Sequence, residues 1–173
     1  FQRFAYYLLL AIEATKKVDL FEAYMRENIG FEREEGSFER TQAAFFKALG
    51  SVKSFAGLER AYRKYDGEMK YLPTDKPEDC LKVGVVGELY TLMEPFSNFF
   101  IEKELAKNNI AVSRFITLTY LLFQKSKMEK KLLSDAGDYL KYAIGADGTD
   151  SVANTRMLAE KGYDGIIHVK PFG

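Results

Sequence analysis

LKVGVVGELY, residues 81–90, places Val83, Val85 and Val86 around Gly84 and closes on Gly87. A short β-branched run bounded by glycine, without polar alternation, suits a strand buried on both faces of a parallel sheet. Downstream of this run, helices and strands alternate. Glu94–Asn108 reads as a helix with Phe96, Phe99, Phe100 and Leu105 on its apolar face, and Asn108-Asn109 ends it. Ala111–Thr119 offers a second strand, Leu121–Leu133 and Asp135–Ile144 two further helices, and Asp164–Val169 (DGIIHV) a third strand. Between them GADGTDSVANT (145–155) is a glycine-rich loop running into a helix that Gly162 ends. Strand, helix, strand, helices, strand is the order of an α/β domain built on a parallel sheet.

Upstream the texture is helical. Phe4, Leu8, Ala11, Ile12 and Thr15 recur at the spacing of one helix face. Asp19 with Glu22 three residues on reads as a capping box opening a helix that Gly30 ends, and Ser37 as the cap of the next. That next helix carries Phe38, Phe45, Leu49, Val52 and Ala56 along one stripe, interrupted by Gly50 and Gly57, which point to a close crossing or a break. Proline and charge then cluster in LPTDKPED (72–79), a linker. The expected organisation is a helical region over 1–72 followed by an α/β domain over 80–173.

Composition limits what such a chain does. It has 173 residues with 25 basic and 25 acidic side chains, one Cys and one His. Zero net charge argues against binding nucleic acid or an anionic membrane, both of which call for a basic excess. A single Cys80 makes no internal disulfide framework, which points away from secretion. With a single His168 beside it, the chain also cannot complete a structural zinc site or a four-thiolate iron–sulfur cluster within one copy. The apolar run Phe4–Ile12 is too short to span a bilayer. A cytoplasmic setting is the expectation. The chain begins at Phe1 and stops at Gly173 directly after Lys170-Pro171-Phe172, which reads as a piece of a longer protein.

Two loops carry the candidate chemistry, one at the carboxyl end of a strand and one at a helix N-terminus, where ligands bind in open α/β sheets. In VGELYTLMEPFSN (86–98), Gly87 lets the backbone turn while Glu88, Tyr90, Glu94 and Asn98 supply polar groups. Pro95 suits a first helical turn, because its missing N–H would have lacked a partner there. The plainer reading is ordinary strand-to-helix punctuation. In the second loop Gly145, Asp147, Gly148, Thr149, Asp150 and Ser151 precede Val152. Exposed amides there could receive a phosphate or carboxylate, but Asp147 and Asp150 would repel it; helix capping is the better reading, with a magnesium ion as another. The spacing is neither a Walker loop nor a dinucleotide fingerprint. His168 alternates with Ile167 and Val169 in an apolar strand and reads as structural, and Lys125–Lys131, with four lysines, as a solvated helix face. Cys80 has no basic neighbour in sequence to activate it, and no nucleophile–base pair can be nominated.

The same segments carry a family resemblance. Gly-Glu-x-Tyr-x-x-x-Glu-Pro-Phe-x-Asn at Gly87–Asn98, the GADGTDSVANT loop and KGYDGIIHVKPFG (161–173) together resemble the 2-hydroxyacyl-CoA dehydratase family, whose type is the 2-hydroxyglutaryl-CoA dehydratase D component. More narrowly they resemble its activase-related branch, the proteins associated with CoA-substrate-specific enzyme activases. IGFEREEGSFER (29–40) is similar to a segment of that branch's helical region, with Ile29-Gly30-Phe31-Glu32 where relatives carry Arg-Pro-Tyr-Glu.

The resemblance implies a Rossmann-like half-domain from an oxygen-sensitive system. In related dehydratases a 4Fe-4S cluster receives one electron from an ATP-hydrolysing activase and drives radical removal of water from a 2-hydroxyacyl-CoA, a lyase reaction. The family's cluster thiolate comes in a Pro-Phe-x-Cys pattern after the third strand; here the chain stops at Pro171-Phe172-Gly173, so a cluster would belong to a longer protein and no residue present is assigned a metal. Gly87, Glu88, Tyr90, Glu94, Pro95, Asn98, Asp147, Ser151 and Asn154 are the residues the resemblance nominates for the cluster or substrate edge, without acid–base roles. Asp147 and Asp150 stand where relatives commonly carry His and Glu. Lys170, Pro171 and Phe172 would position the absent thiolate. Two other readings stand beside it: a non-catalytic docking or scaffold module for an activase, and a flavodoxin-like domain binding a nucleotide or CoA.

Overall fold

The structure is a computed structural model that describes residues 2–145 and 147–171. The chain divides into two compact units, Phe1–Lys76 and Pro77–Gly173.

The first unit is three helices, α1 (Gln2–Asn28), α2 (Ser37–Leu49) and α3 (Phe55–Tyr71). Phe21, Phe38, Phe45 and Met69 are fully buried and, with Met25, form its core; the Phe21 and Phe45 rings lie 4.6 Å apart. The expected capping box at Asp19 and Glu22 is absent, because α1 runs unbroken through both, and Asp19 is buried in mid-helix. Nor does Ser37 cap α2. Gly36 takes that place and Ser37 is the first helical residue, its buried hydroxyl making no hydrogen bond. The break falls at Gly50, after which Ser54 caps α3 by accepting from the Gly57 amide at 3.1 Å; Gly57 itself sits inside the helix. Half of the expected linker is strapped down. Arg33 donates its amide to Pro73 and its guanidinium to Asp75 (2.7 Å), while the Asp75 amide donates to Phe31.

The second unit is α/β. Strands β1 (Leu81–Gly87), β2 (Ile110–Arg114) and β3 (Gly165–Val169) form a parallel sheet in the order β2-β1-β3, with Val83 opposite Val112 on one side and Gly165 on the other. Val83, Val85 and Val86 are buried, as the uninterrupted apolar run of a central strand requires. Val85 packs with Leu92, Val112 and Ile116 on one face. On the other, Leu158 of α7 (Gly148–Glu160) lies so close to Gly84 that a Cβ there would come within 2.4 Å of its side chain. Since successive residues of a strand face opposite ways, helices cover both faces of β1.

Two expected helices are corrected. The one at Glu94–Asn108 is instead a short α4 (Leu89–Met93), a chain of turns, and α5 (Ile101–Ala106). Pro95 therefore lies between helices, not in a first turn, and Phe96 and Phe99 point to solvent at 79% and 83% exposure. The reason is backbone: Phe99 and Phe100 take left-handed φ of 58° and 54°, which no helix continues through. The helix at Leu121–Leu133 is present, opened by a π turn (Tyr120–Gln124) and continued as α6 (Lys125–Ala136). Asp135–Ile144 is no helix of its own; Gly137 at φ 56° ends α6 and only one 3₁₀ turn, Gly137–Tyr139, comes after it.

Candidate functional site

The order β2-β1-β3 makes the carboxyl edge of β1 the distinctive place in the sheet. The chain leaves β1 for a neighbour on one side and returns to a neighbour on the other, so the segments after β1 and β3 part and leave a crevice. That crevice has a volume of about 720 Å³, and its walls include Glu88, Tyr90, Asn98 and Phe99 from the loop after β1, and Lys170 and Pro171 after β3.

Gly87 creates it. Its φ is +140°, and a Cβ would sit 1.9 Å from the Val169 carbonyl oxygen, so only glycine lets β1 turn while still pairing with β3. The next amide, of Glu88, donates to that same carbonyl at 2.9 Å. The Glu88 carboxylate then turns back on α4, accepting from the amides of Tyr90 (3.0 Å) and Thr91 (2.8 Å) and from the Thr91 hydroxyl (2.7 Å). The Thr91 and Tyr90 amides and then the Thr91 hydroxyl hold its pKa below the ordinary glutamate value. Such a group stays ionised and structural; it is not a proton donor.

The rest of the motif is likewise tied to the loop's own backbone. Asn98 donates from its amide nitrogen to the Thr91 and Leu92 carbonyls and accepts from the Ile101 amide. Glu94 accepts from the Phe96 amide at 3.2 Å, and the Phe100 amide donates to the Pro95 carbonyl at 2.7 Å. Glu94 and Pro95 shape the loop without reaching the crevice wall. The exposed residues on its lining are Tyr90, Phe99, Lys170 and Pro171, with Val169 half-buried beside them.

Asp147 is brought to the same end of the sheet. It occupies the N-cap position of α7, yet its side chain makes no capping bond. One oxygen instead accepts from the Leu89 amide (3.1 Å) and the other from Lys125 (2.6 Å). Asp150, also read as a cap, is buried and accepts from the Tyr120 hydroxyl, with Lys125 at 3.6 Å. Lys125 is thus no solvated lysine but the cation between two carboxylates. Burial opposes its charge, while the Asp147 hydrogen bond and the charges of Asp150 and Asp147 outweigh that and raise its pKa. Burial first, then the Asp150 hydrogen bond and charge, push the Tyr120 hydroxyl up.

Sequence reading missed Tyr120 and Lys125, and the signal was thin. They are five residues apart, a spacing that shares a face only in the π turn, where the Lys125 amide donates to the Tyr120 carbonyl.

Ser151 and Asn154 are not part of this crevice. Ser151 lines a separate cleft of about 790 Å³ between α7 and β3, together with Tyr139, Arg156 and an exposed His168. Asn154 borders neither. Phe172 lies outside the described residues. Among the described residues no group of three His, Cys, Asp or Glu side chains is placed to hold a metal ion. Cys80 immediately precedes β1, so a strand of seven residues, roughly 20 Å long, separates it from the crevice. No described helix is long and apolar enough to cross a membrane.

No protein-family model matches the chain, and comparison with curated proteins and with solved structures gives no match.

Proposed function

We propose that the chain is part of a cytoplasmic, activase-related protein of the 2-hydroxyacyl-CoA dehydratase kind, and that its α/β unit offers the β1–β3 crevice to an acyl-CoA. One observation carries the reading: Gly87–Asn98 and the segment ending in Lys170-Pro171, which bear the resemblance, form the two walls of a single crevice at the switch point of the sheet. The residues present do not fit a 4Fe-4S cluster, because the single thiol stands at the opposite end of β1. No redox step is therefore routed through this chain.

Its own residues bind and orient. Glu88, Asn98 and Asp147 hold the loop in shape by hydrogen bonds to backbone. Lys170 supplies a positive charge at the rim for an acidic group, and Tyr90 and Phe99 supply flat apolar surface. With the Glu88 carboxylate engaged by three donors, no general acid or base is assigned in the crevice.

Titrating the chain with a 2-hydroxyacyl-CoA tests the reading. Saturation to about 100 times Kd should stabilise the α/β unit by roughly 2.7 kcal/mol, and Tyr90→Ala with Lys170→Ala should abolish the shift. No stabilisation by any acyl-CoA or by free CoA would sink it.

A second reading, a docking module for an ATP-hydrolysing activase, is favoured by a different observation. Phe99 and Phe100 are held in left-handed backbone at a cost of about 1–2 kcal/mol each, and the first of them is turned to solvent. If complex formation with an activase weakens in Phe99→Ser while acyl-CoA has no effect, the docking reading replaces the first.

A further inference from the structure

β3 borders a cavity on each side. Gly84 faces α7, where Leu158 closes on it, so its in-register partner Ile166, and His168 two residues on, face α7 as well. Ile167 and Val169 point the other way, against the aliphatic core around Val85. β3 is also an edge strand, and the cleft of about 790 Å³ opens between it and α7. Val152, Thr155, Arg156 and Ala159, spaced as one face of a helix, form one wall, and Ile166 and His168 form the other. No lining residue is shared with the crevice after β1.

In that crevice Glu88 and Asn98 are engaged by the loop's own backbone. The polar groups of the cleft are not. Ser151 is only 7% exposed, yet its hydroxyl makes no hydrogen bond with any described residue. A helical serine or threonine commonly returns its hydroxyl to the carbonyl four residues back, as Thr15 does to Ala11, and Ser151 does not. It lies two turns before Leu158 on the same stripe of α7, and so roughly 10 Å nearer the helix start. That start is at the carboxyl end of β1, where Asp147 meets the Leu89 amide, which puts Ser151 near the level of His168. The Thr155 hydroxyl, one turn on, and the His168 ring likewise have no hydrogen bond among the described residues. Arg156 gives Nε to Glu160 at 3.0 Å and Nη1 to the Asp135 carbonyl at 3.4 Å, and keeps Nη2 open.

We propose that the cleft binds a small organic acid with an apolar body. Its carboxylate accepts from the Ser151 and Thr155 hydroxyls, with the His168 ring across from them, and its body lies on Val152, Ala159 and Ile166. The chemistry of the lining selects the class. Hydroxyls and a guanidinium all donate, the guanidinium cannot accept, and the carboxylate on the lining, Glu160, is already held by Arg156. An amine would find no unpaired anion there. The volume suits one small molecule. The site stands independently of the acyl-CoA reading of the crevice.

His168 is the only histidine, so its ring signal in NMR reports on this cleft without ambiguity. Titration of the full chain with hexanoate or phenylacetate should move that signal saturably, and hexanamide should bind at least about tenfold more weakly than hexanoate. Ser151→Ala should weaken hexanoate roughly tenfold and leave Tm without ligand unchanged or higher, because the hydroxyl has no partner to lose. Ala159→Phe, at an exposed position, fills the apolar groove and should abolish the shift with circular dichroism intact. A His168 signal unmoved up to about 10 mM of either acid overturns the proposal. Equal binding of hexanamide rejects the acid head, and binding indifferent to both substitutions places the acid elsewhere on the chain.

Discussion

The cores of the two units use aromatic side chains differently. In the helical unit Phe21, Phe38 and Phe45 are fully buried in one core, with the Phe21 and Phe45 rings 4.6 Å apart. In the α/β unit the core around β1 is aliphatic, built from Val85, Leu92, Val112 and Ile116, while Tyr90, Phe96 and Phe99 stand in solvent along the loop after β1. Geometry explains the first half of the contrast. Packed helices leave grooves that flat rings fill, whereas a helix lying on a pleated sheet, with Leu158 against Gly84, leaves room for compact branched side chains. It does not explain why rings are kept at the rim. Those exposed rings beside the crevice are the surface that the proposed contact with a ligand or partner would use.

The contrast can be tested by substitution. The largest effect is expected from Gly87→Val, which forces a side chain into the Val169 carbonyl at an unfavourable φ. A loss of about 5 kcal/mol confined to the α/β unit is expected, read by calorimetry as one transition falling while the other stays. If both fall together, the units are thermodynamically one. Phe45→Ala should cost about 4 kcal/mol, this time in the helical unit, as a fully buried ring is replaced by a cavity. Lys125→Met comes next at roughly 2–3 kcal/mol, since it leaves Asp150 buried without its cation, in a site that water partly reaches.

A pH series tests the polar contacts of the α/β unit. Tyr120 and Lys125 both have folded pKa values above their unfolded ones. Their contribution is thus complete below about pH 10 and is lost as pH rises through the folded values. Tyr120→Phe should flatten that alkaline loss, seen as a smaller fall in Tm between neutral and strongly basic buffer. Glu88 is the reverse case: its lowered pKa stabilises above the unfolded value near pH 4.3, and that contribution disappears as acid titrates it. The smallest change is expected from Phe99→Gly. It should raise stability by up to about 1 kcal/mol by relieving left-handed strain, where Phe45→Ala lowers it. A destabilised Phe99→Gly would mean that the rim ring is packed after all.

How much was legible depends on the kind of signal each element carries. The valine run of β1 and the glycine at its end announced a buried parallel strand, because burial on both faces leaves no polar position to confuse the pattern. Helix ends were read less well. Asp19 and Ser37 look like caps, but capping depends on whether the chain turns there, and tertiary packing let α1 continue through the first. Phe96, Phe99 and Phe100 have the spacing of an apolar helix face, and only the left-handed backbone of two of them shows that the helix never forms.

The chain's residues alone therefore determined its parallel α/β sheet after a helical region, and the glycine on which the crevice turns. These are local preferences of φ, ψ and burial, written within a few residues of each other. Only the tertiary structure decided that Asp147 meets Leu89 and Lys125, that Tyr120 reaches Asp150, and that Ser151 and Asn154 stay outside the crevice. Those outcomes depend on which distant segments pack together, and no spacing along the sequence encodes a distance in space.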